Sequence, residues 1–262
     1  MGILRKLARI RRYGLTGAPI RQDRLIVSAE KRLVVGFTPK AACTVASKLF
    51  FHTIGKLDEA RDQSDWIHDY REVYCEKNPV RYVHLVSRSF LKIKFVRNPF
   101  HRAVSSYIHA MRYGYVGAEI ERSLRLGDFR DASFRDFVRF LTMEDLHRSN
   151  VHHDYQKLRL EGVAFHFDHI VRVENILERL SQIKAADGRG LDWNESLLSS
   201  RHHTKKKCGE QVAAFDLPFK SLVETGAGFP DYSRFYDPQL LDAVYELYKV
   251  DFDAYGYARG KL

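Results

Sequence analysis

Nowhere in its 262 residues does the chain hold an apolar run approaching the roughly 18–20 residues of a membrane-spanning helix. The opening MGILRKLARIRRYG is basic but has no long apolar centre, so it does not read as a secretory signal. Cysteine is scarce. Cys43, Cys75 and Cys208 are odd in number, far apart and in no metal-ligand spacing, which excludes a disulfide framework and a zinc module and fits a reducing, cytoplasmic compartment. The G-x-x-x-x-G-K-[ST] loop of nucleoside-triphosphate enzymes is absent. There are no internal repeats and no low-complexity tracts.

What is abundant is positive charge and a globular share of apolar residues. Lys and Arg number 43 against 33 Asp and Glu, a formal net charge of +10, and 45% of residues are hydrophobic. A basic surplus implies an anionic partner: a nucleic acid, a membrane surface, a nucleotide or an acidic glycan. Ile3, Leu4, Leu7, Ala8 and Ile10 alternate with Arg5, Lys6, Arg9, Arg11 and Arg12. That pattern suits a frayed or docked terminal helix first, and peripheral contact with an anionic membrane second. Residues 1–30 are therefore set apart as a basic segment, and 31–262 as a single α/β domain.

Along the chain, apolar runs predict strands over 32–37, 82–86, 91–96 and 168–173. Helical spacing marks about 43–54, 100–112, 131–142 and 175–184, and one long helix from Pro238. Segment 56–79 reads as a polar, loop-like stretch, 113–130 as a glycine-containing loop or broken helix, and 201–207, RHHTKKK, as a charged loop. Strands alternating with helices predict a largely parallel sheet.

Two stretches carry chemistry. In VVGFTPKAACT, from Val34, a strand ends in a sharp turn before a helix, leaving backbone N–H groups at the helix N-terminus that favour an anion. Lys40 adds a charge, Thr44 a hydroxyl, and Ala41 and Ala42 allow close approach. The plain alternative is a strand-to-helix turn bearing a surface lysine. In FVRNPFHRAVSSY, from Phe95, a second strand ends at Arg97, whose guanidinium suits bidentate phosphate contact. Helical spacing puts Arg102 with Ser105 and Ser106, so that one face carries cation and hydroxyl together.

This pair of motifs resembles the PAPS-dependent sulfotransferases, especially the membrane-type carbohydrate sulfotransferases and their short bacterial relatives. Arg97, Asn98, Pro99, Arg102, Ser105 and Tyr107 fit the R-N-P-x-x-R-x-x-S-x-Y pattern. NVHHDYQ (150–156), DHIVRVENI (168–176) and the ending DFDAYGY extend the likeness more thinly; His153 and Tyr155 stand where the family has an aromatic and a proline. The resemblance implies a P-loop NTPase-like three-layer α/β fold with a central, mainly parallel sheet flanked by helices. It implies that Lys40, Ala41, Ala42, Cys43 and Thr44 bind the 5′-phosphosulfate of PAPS, Arg97 and Ser105 its 3′-phosphate, and His203, Thr204 and Lys205 a closing loop, with PAP as product and no metal. The eukaryotic members carry a signal anchor and lumenal disulfides; the sequence suggests neither, so a cytoplasmic, bacterial-type enzyme is expected.

Sulfuryl transfer needs in-line geometry, cations on the leaving oxygens and a base for the acceptor hydroxyl. Lys40 is the expected cation. His84, ahead of the second strand, is the first choice of base by resemblance, and His152 the second, as base or substrate contact. The expected acceptor is a hydroxyl on a saccharide or glycolipid, and no nucleic acid. Two other readings stay open: a P-loop-type kinase, though no strand offers a clear Asp for Mg²⁺, and a non-enzymatic binder of nucleic acid or membrane.

Overall fold

The computed structural model describes residues 24–183, 190–198, 213–224 and 228–262. Most of the basic N-terminal segment and the whole of RHHTKKK, with His203, Thr204 and Lys205, lie outside these residues. The contacts group the chain into two compact units, Met1–Val96 with Lys157–Arg201 and Arg97–Gln156 with His202–Leu262. No helix among the described residues is long and apolar enough to cross a membrane.

The first unit holds the sheet. Strands β1 (Leu25–Ser28), β2 (Leu33–Gly36), β3 (Leu91–Val96) and β4 (His169–Arg172) lie in that order. β1 and β2 form an antiparallel hairpin, while β2–β3 and β3–β4 are parallel. The sheet is therefore mostly parallel, as the alternation of strands and helices predicts. Side chains alternate across it. Ile26, Leu33, Val35, Ile93, Phe95 and Val171 face one core together with helix α1 (Cys43–Thr53) and α3 (Ile67–Lys77). Leu25, Val27 and Val34 face the other core, with Leu85 of α4 (Tyr82–Val86) and with Leu160 and Phe165. Gly36 ends β2 because the Phe167 ring crosses it: a Cβ there would stand 2.8 Å from that ring.

Between α1 and α3 runs the short α2 (Leu57–Gln63), so the stretch 56–79, expected to be loop-like, is largely helical. Ile67, Tyr70 and Tyr74 recur at helical spacing and bury one side of α3 against the core. The strand expected at 82–86 is also a helix. Its second residue Val83 is exposed while Leu85 is buried, a periodicity too short to separate the two forms.

The second unit is helical: α5 (Pro99–Tyr113), α6 (Gly117–Leu124), α7 (Phe134–Thr142), α9 (Phe219–Glu224), α10 (Pro238–Leu247) and α11 (Lys249–Tyr255), with α8 (Ile176–Leu180) belonging to the first unit. Its core gathers Phe100, Val104, Tyr107, Phe134, Phe137, Phe235 and Phe252. The long C-terminal helix expected from the sequence is two helices meeting at the buried Tyr248.

The β3 sequence LKIKFV is buried throughout, lysines included. Lys92 Nζ donates to the carbonyls of Ser87 and Phe90 at 3.1 and 2.7 Å and lies 3.3 Å from Asp168. Lys94, 1% exposed, pairs with Glu161, which also accepts from Leu158 N at 3.0 Å. Removing one partner of a buried pair strands the other charge. Lys94→Ala is expected to lower the urea-unfolding free energy by about 3–5 kcal/mol. A loss below about 1 kcal/mol would show that Glu161 does not depend on it.

Candidate functional site

The first candidate site is the turn from Phe37 to Thr44. Its backbone leaves β2 and takes left-handed geometry twice, at Lys40 (φ 69°) and Ala42 (φ 57°). A glycine would adopt these angles freely; a residue with a Cβ pays roughly 1–2 kcal/mol for each. The turn thus reaches with lysine and alanine a shape usually given to glycine. Ala41 N donates to Thr38 O at 3.0 Å and closes it.

Helix α1 then begins without a cap. Its N-cap residue is Ala42; among the described residues no side chain caps its first turn, which holds no acidic residue. The first-turn N–H groups are an anion-binding feature when the helix offers no acceptor of its own. Thr38 Oγ1, in a fully buried residue, has no hydrogen-bond partner among the described residues. Small side chains and an uncapped helix start together make an anion-binding feature.

One side of this turn was not foreseen. His68, buried on α3, places Nε2 3.1 Å from Thr44 Oγ1 and 3.9 Å from Cys43 Sγ. Its Nδ1 lies 2.6 Å from Arg71 Nη1, and Arg71 packs over the Phe37 ring. Twenty-four residues separate His68 from Thr44, so no local motif could have announced the contact.

The second candidate turn belongs to the second unit. Most of the R-N-P-x-x-R-x-x-S-x-Y residues have architectural work. Asn98 Oδ1 caps α5 by accepting from Phe100 N at 2.9 Å, and Pro99 takes the first helical position, where its missing N–H costs nothing. Arg102 and Ser106 are buried and both donate to the carbonyl of His152, at 3.2 and 3.0 Å. Tyr107 fills the core and donates to Ala132 O. The expected cation-and-hydroxyl face therefore points inward for Arg102 and Ser106. Arg97 and Ser105 are the half-buried members. Arg97 Nη2 donates to Tyr232 Oη at 3.2 Å, and the Tyr232 ring also touches His101, one helical turn from Ser105.

The Arg97 backbone is clamped. Gln156 Oε1 accepts from Arg97 N at 2.9 Å and its Nε2 donates to Arg97 O at 2.8 Å. Gln156 N in turn donates to the buried Asp251 at 2.8 Å. The thin likenesses at 150–156 and in DFDAYGY therefore meet at Arg97. His153, in the place of the family's aromatic, is fully buried beside Phe137, and burial, with Arg102 and His152 nearby, pushes its pKa down to about 3.

His84 does not reach the Lys40 turn. It sits on α4, where Nδ1 accepts from Arg81 N at 3.1 Å and the ring packs against Phe90, just ahead of β3. The register pairs Leu33 with Leu91 and Gly36 with Lys94. Phe90 thus lies about 13 Å of strand below the level at which β2 enters the turn. Burial, helped by Arg81, also lowers the His84 pKa. His152 is held in one tautomer. Its Nδ1 lies 2.8 Å from Asn150 Oδ1, an atom that also accepts from His152 N and so is an oxygen. Nδ1 must carry the hydrogen, which leaves the lone pair on Nε2. The ring stacks on His109, 4.4 Å between centroids.

The sequence profile of the Sulfotransferase family matches residues 23–258. The chain belongs to the sulfotransferase family. Its mixed α/β sheet and the strand–turn–helix at Lys40 are the P-loop-like arrangement of that family. Carbohydrate sulfotransferase 14 of Danio rerio is 29% identical over 141 residues, 49% of this chain and 38% of that protein. The Homo sapiens protein of the same name is 25% identical over 171 residues, 61% of this chain and 45% of its own length. The chain thus spans less than half the length of these curated relatives. No solved structure matches it.

Two outcomes check this geometry. Gln156→Leu in this sulfotransferase removes two hydrogen bonds from the Arg97 backbone; unfolding free energy should fall by about 2–5 kcal/mol, and an unchanged urea midpoint would remove the clamp. Between its folded pKa of about 3 and the ordinary histidine value of 6.5, His153 is protonated only in the unfolded chain. Stability should therefore drop as pH falls below about 6.5, by up to roughly 1.4 kcal/mol per pH unit from this residue. His153→Phe should flatten that slope; an identical slope would assign the acid sensitivity elsewhere.

Proposed function

We propose that the protein transfers the sulfuryl group of PAPS to a hydroxyl on a saccharide or glycolipid. The Lys40–Thr44 turn takes the 5′-phosphosulfate and Arg97 with Ser105 the 3′-phosphate. The observation that carries the reading is the uncapped, left-handed turn with a lysine at its apex. Family membership and the name of the partial relatives support the sulfuryl chemistry and the saccharide acceptor.

The acceptor oxygen attacks sulfur as the bond from sulfur to the 5′-phosphate oxygen breaks. Negative charge grows on that leaving oxygen, and Lys40 with the first N–H groups of α1 stabilises it. The acceptor's proton passes to a histidine, and His152, with its Nε2 lone pair, has the tautomer a base needs. Tyr232 braces the Arg97 guanidinium and orients its fork for a phosphate. The Thr44 hydroxyl supplies a neutral donor.

Calorimetric titration tests the donor. 3′,5′-ADP, which is PAP, should bind in the micromolar range, while 5′-ADP and Mg-ATP bind far more weakly. Arg97→Ala should weaken PAP by about 1.5–3 kcal/mol and leave 5′-ADP unaffected. A preference for Mg-ATP would replace this reading with a kinase, and equal affinities of Arg97→Ala and the parent for PAP would overturn the 3′-phosphate role.

A further inference from the structure

His68 and Arg71 lie off both sequence motifs, yet they form a directed chain onto the Lys40 turn. Arg71 carries only donors, so at 2.6 Å from Nη1 the His68 Nδ1 must accept. A neutral His68 then holds its proton on Nε2. At 3.1 Å, Nε2–H donates to Thr44 Oγ1; Cys43 Sγ, at 3.9 Å, is the longer alternative. A hydroxyl whose oxygen accepts from a ring keeps its own hydrogen for another acceptor. Arg71 is itself fixed by the Phe37 ring, 4.8 Å from its guanidinium carbon, and reaches Ser47 Oγ at 3.4 Å. Trp66 packs edge-on against His68, 5.0 Å between centroids.

We infer that His68 is a positioning residue, oriented by Arg71, which holds the Thr44 hydroxyl as a hydrogen-bond donor to the anion bound in the Lys40 turn. The inference rests on the donor reading above. Without the chain, the Thr44 hydroxyl is free to rotate and to present its oxygen, a repulsive partner, to the phosphosulfate. With it, the hydroxyl joins the α1 N–H groups as a pre-oriented donor, and no rotor has to be ordered on binding. The anionic donor also lies beyond a neutral ring rather than a second cation, so the charge in the turn comes from Lys40.

Two measurements decide this. Long-range ¹H–¹⁵N spectra of the parent protein, assigned with His68→Gln, should show His68 as the neutral Nε2–H tautomer. The Nδ1–H tautomer or the imidazolium would overturn the inference whatever the ligand. PAP titrations then give a double-mutant cycle. Thr44→Val should weaken PAP about tenfold, the loss of one hydrogen bond to a charged group. His68→Ala should cost about tenfold in the parent but less than about twofold in the Thr44→Val background. His68→Gln, which keeps a donor near the Nε2 position, should stay within about threefold of the parent. Equal losses in both backgrounds would make His68 a mere support of the fold and overturn the inference while leaving the donor reading intact. A parent that binds no PAP would overturn the donor reading, and with it the ligand role of Thr44. If His68→Ala does not fold, the tautomer and the His68→Gln titration carry the test.

Discussion

Among the described residues the first turn of the helix Cys43–Thr53 has no side-chain cap, and the candidate site depends on that fact. Its N-cap is an alanine in left-handed geometry, and no side chain or acidic residue meets its leading N–H groups. Unsatisfied donors at a helix start are costly unless water or a ligand takes them. The strand–turn–helix at Arg97 solves the same problem internally, through Asn98 and Pro99. One turn thus has its own cap, while the other has none among the described residues. Strain at Lys40 and Ala42 belongs with this asymmetry, since left-handed non-glycine residues persist where the surroundings hold them.

The motif around Arg97 looks like a list of ligand groups and is mostly scaffolding. Asn98 caps, Pro99 starts the helix, Arg102 and Ser106 pin the His152 carbonyl, and Tyr107 fills the core. Gln156 fixes the Arg97 backbone and Asp251 fixes Gln156. Each interaction narrows where the Arg97 guanidinium can go. A side chain with several rotatable bonds reads a phosphate well only when its backbone is held this firmly.

Where the local pattern was strong, the sequence was legible. The strands at Leu33–Gly36 and Leu91–Val96, and the helices after them, follow from apolar runs that end in turn residues. The hairpin strand Leu25–Ser28 was missed, because four residues beside a basic segment give little signal. The helix Ile67–Lys77 hid behind its charged outer face, although Ile67, Tyr70 and Tyr74 carry the period. The histidines show the limit most clearly. His84 was favoured by its place before a strand, and the parallel register sets it at the far end of that strand. His68 had no motif, and only folding brings it to Thr44. Sequence spacing reports neighbours along an element; contacts between elements come from topology.

The central proposal is that the Lys40 turn takes the donor's 5′-phosphosulfate and the Arg97 turn its 3′-phosphate. Amide hydrogen exchange with and without PAP tests it most directly. The account predicts slowed exchange in peptides covering residues 38–46 and around Arg97, with 5′-ADP protecting the first region alone. Protection elsewhere with both turns unchanged would contradict it.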